Sequence, residues 1–246
     1  MAMNEQNTLL PTRVPWREFP EVIVHSSVHK LKSFFGYFSA KRGNHLTASR
    51  IAHALAKQPR IDFPIEFVVP VIQVDQGHYN ALPVAFAAVL ANYLGAKLWL
   101  DVYQINKVNH TGASALDRLR NQPVFGGTVP NGRCLICDDV VTFGASLANL
   151  RGFLASGGAE VTAATAIGAA YGSTKLTPEP NLIDKLRERY DRELEKQTTT
   201  LGFGAECLTA REAYFLAGLR TTERFRNCFA QEVGSTDRSR GVRCRI

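Results

Sequence analysis

The segment Cys134-Leu135-Ile136-Cys137-Asp138-Asp139-Val140-Val141-Thr142-Phe143-Gly144-Ala145-Ser146 constrains this chain more than any other. An apolar run ends in two adjacent carboxylates, two apolar residues follow, and a Thr/Gly/Ser turn opens an amphipathic stretch. A short apolar run bounded by turn signals reads as a buried strand. Such a strand delivers Asp138 and Asp139 to its C-terminal edge. A helix starting near Ala145 then offers N–H groups without intrahelical partners and the positive end of its dipole. Gly144 lets the backbone approach a ligand closely, and Thr142 and Ser146 add hydroxyl donors. Acids that accept from sugar hydroxyls, beside a cradle for an anion, describe a site for a sugar phosphate.

The surrounding sequence alternates helix and strand. Pro11, Pro15 and Pro20 punctuate the start, Glu21 to His25 reads as a short strand, and a segment rich in Phe and Tyr follows (Phe34, Phe35, Tyr37, Phe38). Thr47 begins a helix whose Ile51 and Leu55 share a face. Ile65 to Val71 is a strand; Leu82, Phe86, Val89, Leu90 and Tyr93 follow helical spacing, with Pro83 in the first turn. Lys97 to Tyr103 is a second strand and Cys134 to Cys137 a third. Leu147, Leu150 and Leu154 stripe a helix ending at Gly157-Gly158, and Val161 to Ile167 is a fourth strand. This rhythm predicts an α/β fold with a parallel sheet and ligands at the carboxyl ends of its strands. Gln104 to Gly132 shows no convincing strand or helix and reads as a long binding loop.

Residues 173–246 form a helical part. Leu182, Ile183, Leu186, Tyr190 and Leu194 stripe one helix, which Thr198 to Gly204 breaks. Thr209 to Glu212 reads as a capping box before Tyr214, Phe215 and Leu219, and Thr221 caps a helix bearing Phe225 and Phe229. Three parts result: an N-terminal segment 1–45, a core 46–172, and a helical appendage 173–246 with a basic tail (Arg238, Arg240, Arg243, Arg245).

The 134–146 segment resembles the 5-phosphoribosyl 1-diphosphate (PRPP) binding motif of type I phosphoribosyltransferases: apolar strand, two acids, two apolar residues, Thr-rich Gly loop. Phe143 stands where that family usually carries Thr or another small residue. Val69-Pro70-Val71 followed by Gln76-Gly77-His78-Tyr79-Asn80 looks like a stretch of the competence protein F-like (ComF-like) subgroup, where it lies at the diphosphate turn. The basic, Ser…Arg…Asn and Phe125-Gly126-Gly127 pattern within the long loop also looks similar to that subgroup. The resemblance spans roughly Thr47 to Ala170. It implies the type I phosphoribosyltransferase fold, with Gln104 to Gly132 as the hood loop, and transfer of ribose 5-phosphate to a nitrogen acceptor, a base-like molecule, with release of diphosphate. Asp138 and Asp139 would be the catalytic pair, stabilising positive charge on the ribose. Val140, Thr142, Phe143, Gly144, Ala145 and Ser146 would complete the PRPP site. Val71, Ile72 and Gln73 would meet diphosphate, together with Lys107, His110, Arg118 and Arg120 from the hood. Mg²⁺ would travel with the diphosphate and be held indirectly through Asp138 and Asp139. A homodimer is expected.

The chain departs from the subgroup in three ways: it lacks the N-terminal zinc-binding cysteines, carries Gln73, Asp75 and Gln76 where basic residues are usual, and adds the C-terminal helices. Asp75 should repel diphosphate, and Lys107, Arg118 and Arg120 are the cations available to offset it. These departures support an alternative, a PRPP- or nucleotide-sensing protein on the same fold, with nucleic acid as a partner of the basic tail. A dinucleotide enzyme fits badly, because no strand–GxGxxG–helix unit is present.

Composition narrows the classes further. A net charge of +7 suits phosphate-rich ligands. No apolar stretch approaches the ~20 residues of a membrane span, and the N-terminus carries no basic-then-apolar signal, so no membrane partner and a cytoplasmic location are expected. Five scattered cysteines do not form a disulfide framework. Cys134 and Cys137, three apart on a strand, point to opposite faces, which argues against a shared zinc ion.

Overall fold

The computed structural model describes residues 10–75, 78–108 and 113–230. In chain order the elements are β1 (Ile23–Val24), α1 (Val28–Ser33), α2 (Tyr37–Ala40), α3 (His45–Leu55), β2 (Phe67–Pro70), β3 (Val74–Asp75), β4 (His78–Tyr79), α4 (Ala81–Leu94), β5 (Lys97–Leu98) and β6 (Val102–Gln104). There follow α5 (Ala115–Arg120), β7 (Phe125–Gly127), β8 (Arg133–Val141), α6 (Ala145–Ser156), β9 (Glu160–Ala169), α7 (Pro180–Tyr190), α8 (Arg192–Thr200), a 3₁₀ turn at Ala205–Cys207, α9 (Ala210–Gly218) and α10 (Thr222–Ala230).

The main sheet has five strands in the order β1-β9-β8-β2-β5, and every pairing in it is parallel. This is the α/β parallel architecture that the alternating pattern predicts. Parallel sheets are covered on both faces, so central strands read as continuous apolar runs. β8 obeys this: Leu135 and Cys137 pack with α3 and α4 on one side, while Cys134 and Ile136 pack with Leu147, Leu150 and Leu154 of α6 on the other. The two cysteines therefore lie on opposite faces. Chain order runs outward from β2 to β5 on one side and from β8 to β9 on the other. The switch lies between β2 and β8, where open α/β sheets form their ligand crevice.

Four local expectations are corrected. The third helix begins at His45 rather than Thr47, because the Asn44 side chain caps it by accepting from the Thr47 N–H at 2.9 Å. The strand expected over Lys97–Tyr103 is two strands: β5 pairs with β2, and β6 leaves the sheet to pair antiparallel with β7. That second ribbon depends on Gly127 at φ 112, where a Cβ would fall 1.8 Å from the Asp101 carbonyl oxygen. The stretch 104–132 is not structureless, since it holds β7 and α5. A full capping box between Ser114 and Asp117 starts α5, the Ser-to-acid spacing that serves helix N-termini. The apolar stripe from Leu182 to Leu194 runs over two helices, because the chain breaks at Asp191, φ 47.

The C-terminal helices build their own core. Ile183, Leu186, Tyr190, Leu194, Leu216 and Phe225 are buried there together, joined by Leu119 of α5. Tyr190 stacks on Phe225 with ring centroids 4.3 Å apart, and its hydroxyl donates to the Leu216 carbonyl at 2.8 Å. The capping box of Thr209 and Glu212 starts α9, and the Thr221 hydroxyl accepts from the Arg224 N–H to cap α10. Among the described residues no helix is long and apolar enough to cross a membrane.

Candidate functional site

β2 ends at Pro70, opposite Cys137, whereas β8 runs on beside β9 as far as Val141 opposite Ala169. Asp138 and Asp139 therefore sit inside β8, not at its end, and project past the shorter neighbour at the switch point. That correction places them in the crevice without ending the strand.

Asp139 is buried, and its Oδ2 lies 2.7 Å from the Lys41 ammonium. Its Oδ1 accepts from the Val140 N–H at 2.9 Å, and the Asn80 side chain also bonds to it. The same Asn80 caps α4 by accepting from the Leu82 N–H at 3.2 Å. Burial alone would raise the Asp139 pKa, but the Lys41 charge and hydrogen bond outweigh it and hold the carboxyl below its ordinary range. Asp138 is half-buried, and its Oδ1 accepts from the Asp139 N–H at 2.7 Å. Loss of solvent, then the neighbouring Asp139 charge, push Asp138 well up. The two acids are thus unequal: one carries charge beside a lysine, the other is driven toward its neutral form.

The cradle follows directly. Val141 leads through Thr142 and Phe143 to Gly144 at φ 80, the residue before α6. The φ of 80 strains any L side chain, which favours glycine at the turn, and a Cβ there would also press on Leu176 Cδ2 at 2.6 Å. No side chain caps α6, and its first-turn N–H groups are the donors a phosphate would take. The turn's carbonyls face away from that role. Thr142 O accepts from the Ser173 hydroxyl at 2.5 Å, and Phe143 O accepts from the Thr209 hydroxyl at 2.7 Å. The Phe143 ring packs edge-on toward Phe215 of α9, 6.3 Å between centroids. Ala145 is buried; Val140, Thr142 and Ser146 are half-buried.

The remaining predicted residues scatter. Arg118 of α5 donates to the Thr142 hydroxyl at 3.1 Å, which brings a guanidinium to the cradle; burial lowers its pKa. Arg120 turns the other way and donates to the Cys228 carbonyl of α10. Gln73 donates to the Val108 carbonyl at 2.5 Å and so ties the segment after β2 to the segment after β6. Val71 is buried with its N–H on Cys137 O at 2.8 Å, and the Ile72 carbonyl accepts from the Gln104 N–H at 2.8 Å. Lys107 is exposed. His110, Gln76, Gly77 and the tail arginines lie outside the described residues.

Two further features escaped the sequence reading. Lys41 ends a short helix far from the acids in sequence, and no motif marks it. Arg13 lies in a Pro-rich stretch, yet its buried guanidinium donates to Asn149 Oδ1 (2.5 Å), Cys207 O (3.0 Å), Gln122 Oε1 (2.8 Å) and both Glu212 oxygens (2.6 and 2.8 Å). Glu212 also accepts from the Thr209 N–H, so this network touches the residue that holds the cradle.

The expectation that Mg²⁺ is held through Asp138 and Asp139 meets an engaged donor set. Each Asp139 oxygen already accepts one hydrogen bond, Oδ2 from the Lys41 ammonium and Oδ1 from the Val140 N–H, and one Asp138 oxygen accepts from the Asp139 N–H. The charge of Asp139 is already met by the chain's own cation, so direct ligation of a divalent ion by Asp139 does not fit, whereas an indirect role of the pair, through an ion carried by the ligand, conflicts with none of these contacts. Among the described residues no group of three or more His, Cys, Asp or Glu is placed to hold a metal.

The site so defined is an acid pair and a glycine-turned helix N-terminus at the switch point of a parallel α/β sheet. No family model matches the chain. It is 30% identical over 229 residues to Protein TraN of Escherichia coli, covering 89% of this chain and 51% of that protein. It is 30% identical over 151 residues to an uncharacterized protein of Haemophilus influenzae, covering 58% of this chain and 34% of that one. The chain thus spans about half or less of these curated relatives. Similar solved structures include phosphoribosyltransferases. They include an orotate phosphoribosyltransferase from Aeropyrum pernix (TM-score 0.33, 21% identity, 61% of this chain and 68% of that one). An adenine phosphoribosyltransferase also matches (TM-score 0.32, 17% identity, 45% and 60%), as does the Leishmania donovani UMP synthase (TM-score 0.31, 15% identity, 70% and 32%).

Proposed function

We infer that the chain binds PRPP and transfers its ribose 5-phosphate to a nitrogen acceptor of the nucleobase type, releasing diphosphate. One observation carries this reading: Asp138, Asp139 and the Gly144 turn are consecutive parts of one strand–turn–helix, so a single ribose ester spans both. The 5-phosphate takes the α6 N–H groups, and Arg118 at Thr142 adds positive charge there. The ribose hydroxyls lie against the acids. When the C1–O bond to diphosphate breaks, positive charge grows on the ribose ring, and the negative charge of Asp139 stabilises it. Diphosphate leaves with its own counter-ion; the acid pair performs its part without one.

The test is titration of PRPP into wild type and the Asp138→Asn/Asp139→Asn double variant, followed by assay of diphosphate release with a panel of bases. Loss of binding in the variant supports the reading, and equal affinity refutes it. A second reading, ligand sensing without turnover, draws support from the cradle carbonyls held by Ser173 and Thr209, which link ligand occupancy to the C-terminal helices. Tight PRPP binding with no diphosphate release from any base favours that reading.

A further inference from the structure

Lys41 offers an inference that rests on the PRPP reading and deepens it. The residue is held rather than loosely exposed. Tyr37 and Ala40 of α2 are buried, the Lys41 N–H continues the helix by donating to Tyr37 O at 3.0 Å, and the Gly43 N–H donates to Ala40 O at 3.2 Å. That places the ammonium 2.7 Å from Asp139 Oδ2, with the carboxylate side chain 6% exposed and the lysine side chain 33% exposed. A buried carboxylate needs a partner, and a purely structural pair would satisfy it. The exposure is uneven, however. An ammonium has three donors; one serves Asp139, and a third of the lysine side chain stays open to solvent beside the acid against which the ribose is proposed to lie.

We propose that Lys41 is a ligand-binding residue that serves as the resident cation of the acid pair, so that ribose recognition here needs no divalent metal. A ribose hydroxyl donates to Asp139 and accepts from Lys41, and the ammonium supplies the charge balance that a divalent ion would otherwise bring.

Ribose 5-phosphate tests this directly, because it lacks the diphosphate that would carry magnesium in by itself. Calorimetric titration into the full chain is run in EDTA and in Mg²⁺, for wild type, Lys41→Met, Lys41→Gln and the Asp138→Asn/Asp139→Asn variant, with thermal melts confirming that each is folded. Wild type should bind with affinities within about twofold in the two buffers. The Lys41 variants should bind at least tenfold more weakly in EDTA and recover part of that loss in Mg²⁺, a rescue that a merely structural lysine would not produce. Two variants guard against one failing to fold, and the wild-type comparison stands without either. A wild type that loses tenfold in EDTA overturns the proposal, as do Lys41 variants that bind like wild type or whose loss Mg²⁺ leaves unchanged. Wild-type affinity in the double acid variant overturns the PRPP reading itself, and absence of any binding by wild type overturns both.

Discussion

Replacing Arg13 with Met should destabilise the protein by about 4 kcal/mol, the middle of the ~3–5 kcal/mol range for breaking a buried ion pair from one side. The estimate follows from what the guanidinium leaves behind. Its side chain is 1% exposed and that of Glu212 is 0% exposed. Without Arg13, Glu212 keeps the Thr209 N–H at 2.8 Å and a long contact to Gln122 at 3.4 Å, too little for a buried carboxylate. The Cys207 carbonyl and Asn149 Oδ1 also lose a donor, and each unmade buried bond costs about 1–3 kcal/mol on its own. Gln122 Oε1 is spared, because Asn149 Nδ2 still reaches it at 3.0 Å. Methionine retains an apolar stem over the Phe203 ring, whose centroid lies 4.0 Å from the guanidinium carbon, so packing loss is minor. At about 2–4 °C per kcal/mol for a chain of this size, the melting temperature should fall by about 8–16 °C. The assay is a thermal-melt double-mutant cycle with Glu212→Met. Removing both partners should cost at least ~2 kcal/mol less than the sum of the singles, because no unpaired charge remains. A single-variant loss below ~1 kcal/mol, or simple additivity, would refute the argument that this network is a coupled unit.

Two further outcomes follow from single positions. His25 is buried, with Nδ1 accepting from the Lys57 N–H at 2.8 Å and Nε2 2.9 Å from the Thr165 hydroxyl; burial first, then the Lys57 charge, lower its pKa from 6.5 to about 4. The unfolded chain therefore binds a proton that the folded one refuses between those values. This contribution is intact above pH 6.5 and disappears as pH falls toward 4, of order 2 kcal/mol after allowance for solvent screening. His25→Gln should flatten the wild-type slope in denaturation measured across that window, and identical slopes would contradict it. Gly144→Ala combines a positive φ, about 1–2 kcal/mol for an L-residue, with a Cβ 2.6 Å from Leu176 Cδ2. It should weaken ribose 5-phosphate binding at least tenfold in titration. Gly158→Ala shares the positive φ at the far end of α6 but meets nothing within 4 Å, and should leave affinity unchanged; equal effects would sink the cradle assignment.

The parallel sheet was legible because its strands are buried on both faces and so appear as apolar runs set between helical stripes. The acid pair and glycine turn were legible for a related reason, since their geometry is local to one strand–turn–helix. What escaped detection depends on distance in sequence. Lys41 meets Asp139 across 98 positions, and Arg13 meets Glu212 across 199; neither contact leaves a spacing to read. Short elements were lost for another reason. β6 and β7 have three residues each, fewer than a periodicity needs, and a two-stranded ribbon is held by pairing and by Gly127 rather than by an apolar pattern. The break at Asp191 was hidden because Leu186, Tyr190 and Leu194 enter one core from two helices, so the stripe survives where the helix does not.

Phe143, the clearest departure from the motif, is explained by the C-terminal helices. A threonine at that position would offer a hydroxyl to the ligand. Here the side chain packs toward Phe215, the carbonyl is held by Thr209, and the preceding carbonyl is held by Ser173. Fixing both carbonyls fixes the peptide planes, and the N–H group of each plane then points away from the Ser173 or Thr209 hydroxyl that holds its carbonyl. Thr209 is itself locked by Glu212, which Arg13 secures. A lost side-chain donor is thus exchanged for a backbone held from outside, and the residues that hold it come from beyond the motif. It follows that the C-terminal helices act on the cradle through Thr209, and that perturbing Arg13 should alter ligand affinity as well as stability although it touches no ligand.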